Sequence, residues 1–357
     1  MALSAKSVTK AVLAVVGTLV SLLLIATVFV EIRLSGPGPL WQPRFHLGHF
    51  FAELPKHLPW LLAFMALTAS MVPARALQWQ TALFHPVPFR ERYHFVAIGA
   101  FVHNALPGKF GDLFRAFLMA RTRKLPLVQT LGSVAVCKLL EFAALMLLVG
   151  LSFLGPFAKT MGRFSSGVRI AVVACLGLVG LVVFLARYAA SLAAALRRRR
   201  RWAKAEAFLV NLSVGLGTAR SASGMARALL LSIPPVLAPA IGYGLGLHAV
   251  GIEGGLFAGA VVLGAIALGQ VVPGFPAGTG IYYFATSWVA RELGASATDA
   301  AAFAALTHLG TLTTQIFVGA VSLWTRKLKW KDLKRGADDA AQAAKEMSPS
   351  TPEALRA

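Results

Sequence analysis

Asn104-Ala105-Leu106-Pro107-Gly108-Lys109-Phe110-Gly111-Asp112 decides how the chain folds, because it interrupts a segment otherwise apolar enough to be membrane-embedded. A second stretch, Val272-Pro273-Gly274-Phe275-Pro276-Ala277-Gly278-Thr279-Gly280, interrupts another such segment. One common offset carries Pro107 onto Pro276 and Gly111 onto Gly280. Proline and glycine at membrane depth release backbone N–H and C=O groups that lipid cannot satisfy. Such breaks are tolerated only where protein or a wet cavity surrounds them. Paired interruptions at corresponding places in two halves point to a transporter-type binding site.

Around these breaks the chain is apolar. Of its 357 residues, 57% are hydrophobic and only 14% charged, with a mean hydropathy of +0.68. A soluble domain carries roughly a quarter charged residues. Runs at 11–30, 58–77, 127–154, 170–188, 226–248 and 297–324 approach or exceed the roughly 18 to 20 apolar residues a spanning helix needs. The expected fold is an all-α polytopic integral membrane protein, and soluble classes are excluded. The net charge is +21, from 35 basic and 14 acidic residues, and the basic ones cluster between apolar runs. That placement points to orientation signals and anionic lipid contact rather than nucleic acid. Cys137 and Cys175 sit in apolar runs with no partner at metal-ligand or redox spacing, so no disulfide, metal or cofactor is expected. Lys6 and Lys10 precede a long run with no small-x-small cleavage site, which reads as a retained first helix rather than a leader.

The broken segments, about 93–121 and about 256–291, each read as a kinked span or as a hairpin entering and leaving on one side. Charge placement favours hairpins. Lys6 and Lys10 put the N-terminus in the cytoplasm, and the second span then ends there near Arg75, Arg90 and Arg92. Arg121, Arg123 and Lys124 follow the first broken segment, so both of its flanks are basic. Arg197–Arg201 with Lys204, and later Arg326, Lys327, Lys329, Lys331, Lys334 and Arg335, fall on the same side, while Gly251–Gly255 falls opposite. Lys159, Arg163 and Arg169 also fall opposite, against the trend. The order span, span, hairpin, span then occurs twice, in 1–154 and in 155–325. Three crossings per unit make this an inverted repeat with six spans, two re-entrant hairpins and cytoplasmic termini. The basic connector 189–222 is expected to be helical and interfacial. The tail 326–357 is basic, then polar, and is assigned no role.

Around the first break stand His103, Asn104, Lys109, Asp112 and Arg115. Asp112 and Arg115 share a helix face at a spacing of three, and Lys138 and Glu141 repeat that spacing. Ionisable groups at depth face a cavity or a partner, so these are either two structural ion pairs or a headgroup site. Arg115 carries the functional reading, since guanidinium grips phosphate with a bidentate fork. A helix starting near Gly111 also aims N–H groups and a positive dipole end at an anion. The common offset brings His308 to within one residue of the counterpart of Lys138. A lone intramembrane histidine is either a hydrogen-bonded core residue or part of a site. The second break carries Thr279, Tyr282 and Tyr283, which read as headgroup donors or interfacial anchors. Trp60, Trp79, Trp288 and Trp324 read as anchors at span ends. Pro234, Pro235 and Pro239 should kink the fifth span. No nucleophile–base pair or phosphate-loop signature is present, so the chain is not expected to be an enzyme.

The string Asn104-x-x-Pro107-Gly108-x-x-Gly111-Asp112-x-x-Arg115 resembles the N-x-x-P-G-R-x-G-E-x-x-R signature of the lysylphosphatidylglycerol synthase transmembrane (flippase-like) family. Lys138-x-x-Glu141 is similar to that family's R-x-x-D, Pro276-Ala277-Gly278-Thr279-Gly280-Ile281 to its P-G-G-x-G, and Arg75-x-x-x-Trp79 to its arginine-rich exit from the second span. The resemblance covers about 11–325. Lys109 and Asp112 are conservative replacements, whereas Tyr283 stands where the second motif commonly ends in glutamate and His308 where arginine is frequent. The resemblance implies a stand-alone membrane domain without the soluble synthase domain. It implies translocation of a lipid other than lysyl-phosphatidylglycerol, a polar and anionic one or a polyprenyl- or hopanoid-type one, in the bacterial inner membrane. The substrate-contacting set would be Asn104, Pro107, Gly108, Lys109, Gly111, Asp112, Arg115, Lys138, Glu141, Pro276, Gly278, Gly280, Tyr283 and His308. The alternative is a non-transporting membrane subunit that docks a cytoplasmic lipid-modifying enzyme or glycosyltransferase.

Overall fold

A computed structural model describes residues 5–32, 41–43, 47–105, 110–154, 165–197, 203–217, 221–270, 279–328 and 331. In chain order the elements are α1 (Ala5–Phe29), β1 (Val30–Ile32), β2 (Trp41–Pro43), α2 (Leu47–Ala82), α3 (Phe89–Ala105), α4 (Gly111–Arg123) and α5 (Leu127–Leu154). They continue as α6 (Ser165–Arg197), α7 (Ala203–Gly215), α8 (Ala222–Ala249), α9 (Gly255–Gly269), α10 (Thr279–Glu292) and α11 (Ala297–Thr325). The two short strands pair antiparallel, Val30 with Pro43 and Ile32 with Trp41, where no strand was expected.

Among the described residues five helices are long and apolar enough to cross a bilayer: Leu54–Ala82, Leu127–Phe153, Ser166–Ala195, Ala222–Ala249 and Ala297–Thr325. In α1 the stretch Val16–Phe29 is apolar as well. Large apolar side chains such as Ile170 (70%), Phe317 (67%) and Leu230 (66%) point away from the protein. Water would penalise such surfaces and lipid does not. The chain is an α-helical, multi-pass membrane protein.

Both broken segments are helical hairpins. At about 1.5 Å per residue, α3 and α4, with 17 and 13 residues, are too short to cross a hydrocarbon core of about 30 Å alone. They fold back on each other, for a Cβ on Gly99 would lie 2.8 Å from the carbonyl of Gly111. Their outer ends meet where Arg123 Nε donates to Glu91 Oε1 at 3.1 Å. Ile98, Val102 and Phe114 fill the space between, joined by Leu118. The helices α9 and α10, with 15 and 14 residues, form the second hairpin, with Gly269 against Ile281 beside the interruption. The interrupting residues 106–109 and 271–278 lie outside the described residues.

The chain divides into two compact units, and each holds one hairpin. The first comprises Met1–Ala74, Glu141–Gly177 and Ser232–Gln315, and contains α9 and α10. Its core is Trp60, Phe64, Tyr243, Leu247, Tyr282, Phe303 and Leu306, with Val261 and Val262 of α9. Helices gain little from apolar contact in lipid, so backbones approach closely through small residues. Gly259 lies against the carbonyl of Ala240, Gly244 against Gly255, and Gly280 against Ser21 of α1. The second unit comprises Arg75–Leu140, Leu178–Leu231 and Ile316–Ala357, and contains α3 and α4.

The expected connector 189–222 proves to be the end of α6 plus α7. α7 docks on α5: Gln129 Nε2 donates to Asn211 Oδ1 at 3.2 Å, and a Cβ on Gly215 would lie 2.6 Å from the carbonyl of Gln129. Arg198–Arg201, Lys159, Arg163 and the tail beyond 331 lie outside the described residues. α2 extends past its apolar run at both ends and contains Pro55, Pro59 and Pro73. α8 contains Pro234, Pro235 and Pro239.

Gly280→Ala should lower the thermal stability of the detergent-purified protein by about 1–3 kcal/mol, because the new methyl collides with the Ser21 backbone. Gly177→Ala, with nothing within 4 Å of its Cβ, should melt at or slightly above wild type. Equal melting of the two variants would refute the close approach of α1 and α10.

Candidate functional site

α4 begins at Gly111, as expected from the sequence, and the first-turn N–H of Phe114 donates to Phe110 O at 2.8 Å. Only glycine fits at 111. A Cβ there would strike the carbonyl of Gly99 and come within 2.7 Å of His103 Cβ. With α4 starting hard against α3, Asp112 falls in the first turn, where a carboxylate complements the positive helix end. Arg115 follows one turn later, and its Nε lies 3.0 Å from Asp112 Oδ1. Lys138 of α5 places Nζ 3.4 Å from Asp112 Oδ2. A single carboxylate therefore bridges cations from two helices. Lys138 thus reaches from α5 to Asp112 as well as sharing a helix face with Glu141. Arg75 and His103 are within Coulombic reach of the same carboxylate. Glu141 is buried one turn after Lys138. Asn104 Nδ2 donates to Ala100 O at 2.8 Å inside α3.

Arg115 is 2% exposed, and its guanidinium lies 5.1 Å from the Trp79 ring centroid. Trp79 is fully buried, and its Nε1 donates to Ser133 Oγ at 3.0 Å. The expectation that Trp60 and Trp79 anchor at interfaces is therefore corrected. Trp60 belongs to the first unit's core, and Trp79 is the platform that holds Arg115. The i, i+4 spacing of Arg75 and Trp79 was the available signal, since it sets both on one face of α2. Trp324, 82% exposed, keeps its place on the surface.

Stacking and ion pairing leave the Arg115 donors incompletely used. Nε is near Asp112 but off the N–H line, and Nη2 meets no acceptor among the described residues. Meanwhile the side chains of Asp112 and Lys138 are 42% and 36% exposed. The cluster thus has a buried, aromatic-backed guanidinium at its base and an open carboxylate–ammonium pair at its mouth. Arg75, Arg115, Lys138 and His103 all act on the Asp112 carboxylate, so an anion reaching the open mouth meets a cationic surrounding. Pro107, Gly108 and Lys109 lie outside the described residues.

The second hairpin carries a different set. The Gly280 N–H, at the start of α10, donates to Ser21 Oγ at 3.0 Å. His308 packs between two tyrosine rings, with centroid distances of 4.7 Å to Tyr282 and 5.0 Å to Tyr283. Tyr283 also meets Phe29 edge-on at 5.4 Å, and the Tyr282 and Tyr243 hydroxyls are 2.8 Å apart. Tyr283 and His308 are therefore in contact within an aromatic cluster. Pro276 and Gly278 lie outside the described residues. Sequence reasoning missed Ser21 and Tyr243. Their signals were the Gly17-x-x-x-Ser21 spacing in an apolar helix and a tyrosine flanked by Gly242 and Gly244. Among the described residues no three His, Cys, Asp or Glu side chains come together as a metal site.

The fold and the charged cluster define a multi-pass helical membrane protein with two helical hairpins. The chain belongs to the lysylphosphatidylglycerol synthase TM region family, whose model matches residues 14–319. No curated protein and no solved structure matches it.

Asp112→Asn should destabilise the protein by about 1–3 kcal/mol. Stranding a fully buried charge costs more, but Asp112 is partly exposed. Adding Arg115→Gln should recover part of that loss, which a double-mutant cycle on thermal unfolding would read as coupling. Strict additivity of the two losses would break the proposed link.

Proposed function

We propose that the protein is a lipid translocator, moving a polar, anionic lipid headgroup across the bacterial inner membrane without making or breaking covalent bonds. The observation that carries this reading is the buried Arg115 guanidinium, whose Nη2 meets no acceptor among the described residues, beside the half-open Asp112–Lys138 pair. In the resting site Asp112 occupies both cations. An entering phosphate takes over their donors, because guanidinium offers two parallel N–H groups to two phosphate oxygens. Asp112 then serves as an internal stand-in for substrate, keeping Arg115 and Lys138 neutralised between cycles.

The layout proposed for this activity has six spans and two re-entrant hairpins in an inverted repeat, with cytoplasmic termini. Its support is that each compact unit contains one interrupted hairpin. The cargo class is narrowed by the second hairpin, where Tyr283 and His308 replace an acid and a base. Hydroxyl and imidazole groups there suit an uncharged, hydroxyl-bearing part of a headgroup better than an amino group. A phosphate-linked glycerol or glycan on a phospholipid, polyprenyl or hopanoid carrier has the chemistry suited to each hairpin taken by itself.

In proteoliposomes with acyl-labelled phosphatidylglycerol, Arg115→Ala should slow headgroup flipping at least tenfold, with Arg115→Lys in between because it keeps the charge but not the fork. Flipping by Arg115→Ala at the wild-type rate would remove Arg115 from the mechanism. No flipping by the wild type, with co-purification of a lipid-modifying enzyme, would favour the docking-subunit reading. In a chain lacking Cys137 and Cys175, cysteines at Phe110 and Thr279 should react with impermeant reagents from opposite sides. Labelling from one side would overturn the inverted layout.

A further inference from the structure

A second polar cluster lies between the start of α3 and the end of α11. These helices pack side by side. A Cβ on Gly319 would lie 2.9 Å from Ala97 O, and the Arg326 guanidinium lies 5.5 Å from the Phe95 ring centroid. As the chain advances from 319 to 326 its contacts recede from Phe101 to Phe95, so the helices run antiparallel. Ser322 falls three residues after Gly319 and four before Arg326, hence on the face turned to α3.

This junction holds polar groups that the fold does not use. Among the described residues His94, 7% exposed, has no hydrogen-bond partner for Nδ1, and Ser322, 1% exposed, has none for Oγ. Arg90 and Arg326 are both exposed and both within Coulombic reach of His94. The nearby acid is already engaged, since Glu91 is held by Arg123. Arg92 is also engaged, donating to Val87 O at 3.0 Å and to Ala76 O. Among the described residues neither Arg90 nor Arg326 forms an ion pair. Compensation of the helix dipole accounts for basic residues at the end of α11. It does not account for a buried imidazole edge and a buried hydroxyl left without partners, each of which costs about 1–3 kcal/mol when unsatisfied. An anion with several acceptor oxygens would satisfy them and neutralise the two guanidinium groups together. Exposed aromatic residues mark the depth: Trp324 at the end of α11 and Phe89 at the start of α3 have the character of an interfacial belt, where lipid phosphates lie.

We infer that Arg90, His94, Ser322 and Arg326 form a phosphate-binding site, occupied by the phosphate of an anionic lipid in the adjoining leaflet. The site is separate from the Asp112 cluster and requires no translocation. A bound lipid there would tie α11 to the first hairpin.

Full-length protein in phosphatidylcholine nanodiscs tests the site with acyl-labelled phosphatidylglycerol as probe and inorganic phosphate as competitor. The wild type should retain phosphatidylglycerol, and the paired exposed-site variant Arg90→Gln/Arg326→Gln should weaken binding about tenfold or more. His94→Gln should weaken it less, and the same losses should appear when each variant is made in an Arg115→Ala background, where the Asp112 cluster no longer contributes binding. Loss in the paired variant with displacement by millimolar phosphate supports a site open to soluble phosphate. The same loss without displacement supports a site that takes the phosphate only from lipid. Wild-type binding of both probes by Arg90→Gln/Arg326→Gln and by His94→Gln overturns the site. Because Arg115→Ala is measured alongside, failure of the transport reading and failure of this one give different patterns.

Discussion

Charge buried in a membrane protein has to be neutralised where it lies, and in this chain Asp112 meets that demand for Arg115 and Lys138 together. Three helices depend on the arrangement. α2 supplies Trp79 beneath the guanidinium, α4 supplies the Asp112–Arg115 pair, and α5 supplies Lys138 together with the Ser133 hydroxyl that fixes the Trp79 indole. Asp112 also sits at the positive end of α4, so the same carboxylate favours starting a helix at the break. Removing it would leave two cations facing each other in a low-dielectric setting, a larger penalty than the loss of one surface ion pair.

Close backbone approach is the second constraint, and it determines where charge can be placed. Gly111 and Gly99 let α4 fold back directly on α3, which brings Arg115 against the preceding helix instead of into lipid. In the other unit Gly280 brings α10 onto Ser21, whose hydroxyl accepts a helix-terminal N–H that would otherwise lack a partner. The two hairpins solve the same backbone problem differently. At the first, Asp112 complements the positive helix end without a side-chain cap hydrogen bond, whereas at the second a hydroxyl from α1 accepts a starting N–H.

Much of this was legible because the bilayer restricts what an apolar sequence can do. Long apolar runs had to be helices, and basic residues on both flanks of 93–121 marked a hairpin, whose outer ends are now seen joined by Glu91 and Arg123. Tertiary partners were less legible. Spacing pairs Lys138 with Glu141 because they share a helix face, but spacing cannot see that Asp112 arrives from another helix. Trp79 was misjudged because hydropathy falls after residue 77, while α2 continues to Ala82. Arg92 from α3 donates to the Ala76 carbonyl along that extension, so the polar end of α2 is packed by protein. The Ser21 contact joins residues far apart in sequence, and the three-residue strands are too short to show a periodic signal.

The contrast between the hairpins bears on what a lipid headgroup would experience. Charge on the headgroup has a counterpart at the first, where Arg115 Nη2 meets no acceptor among the described residues. At the second, the ring of His308 is held between Tyr282 and Tyr283, and the hydroxyls of Tyr282 and Tyr243 satisfy each other. Such a cluster has little to offer a full charge, and an amino group there would find no acid among the residues around His308. Taken separately, the first hairpin suits charge on phosphate and the second suits hydroxyls, which is why the proposed headgroup is anionic and not aminoacylated.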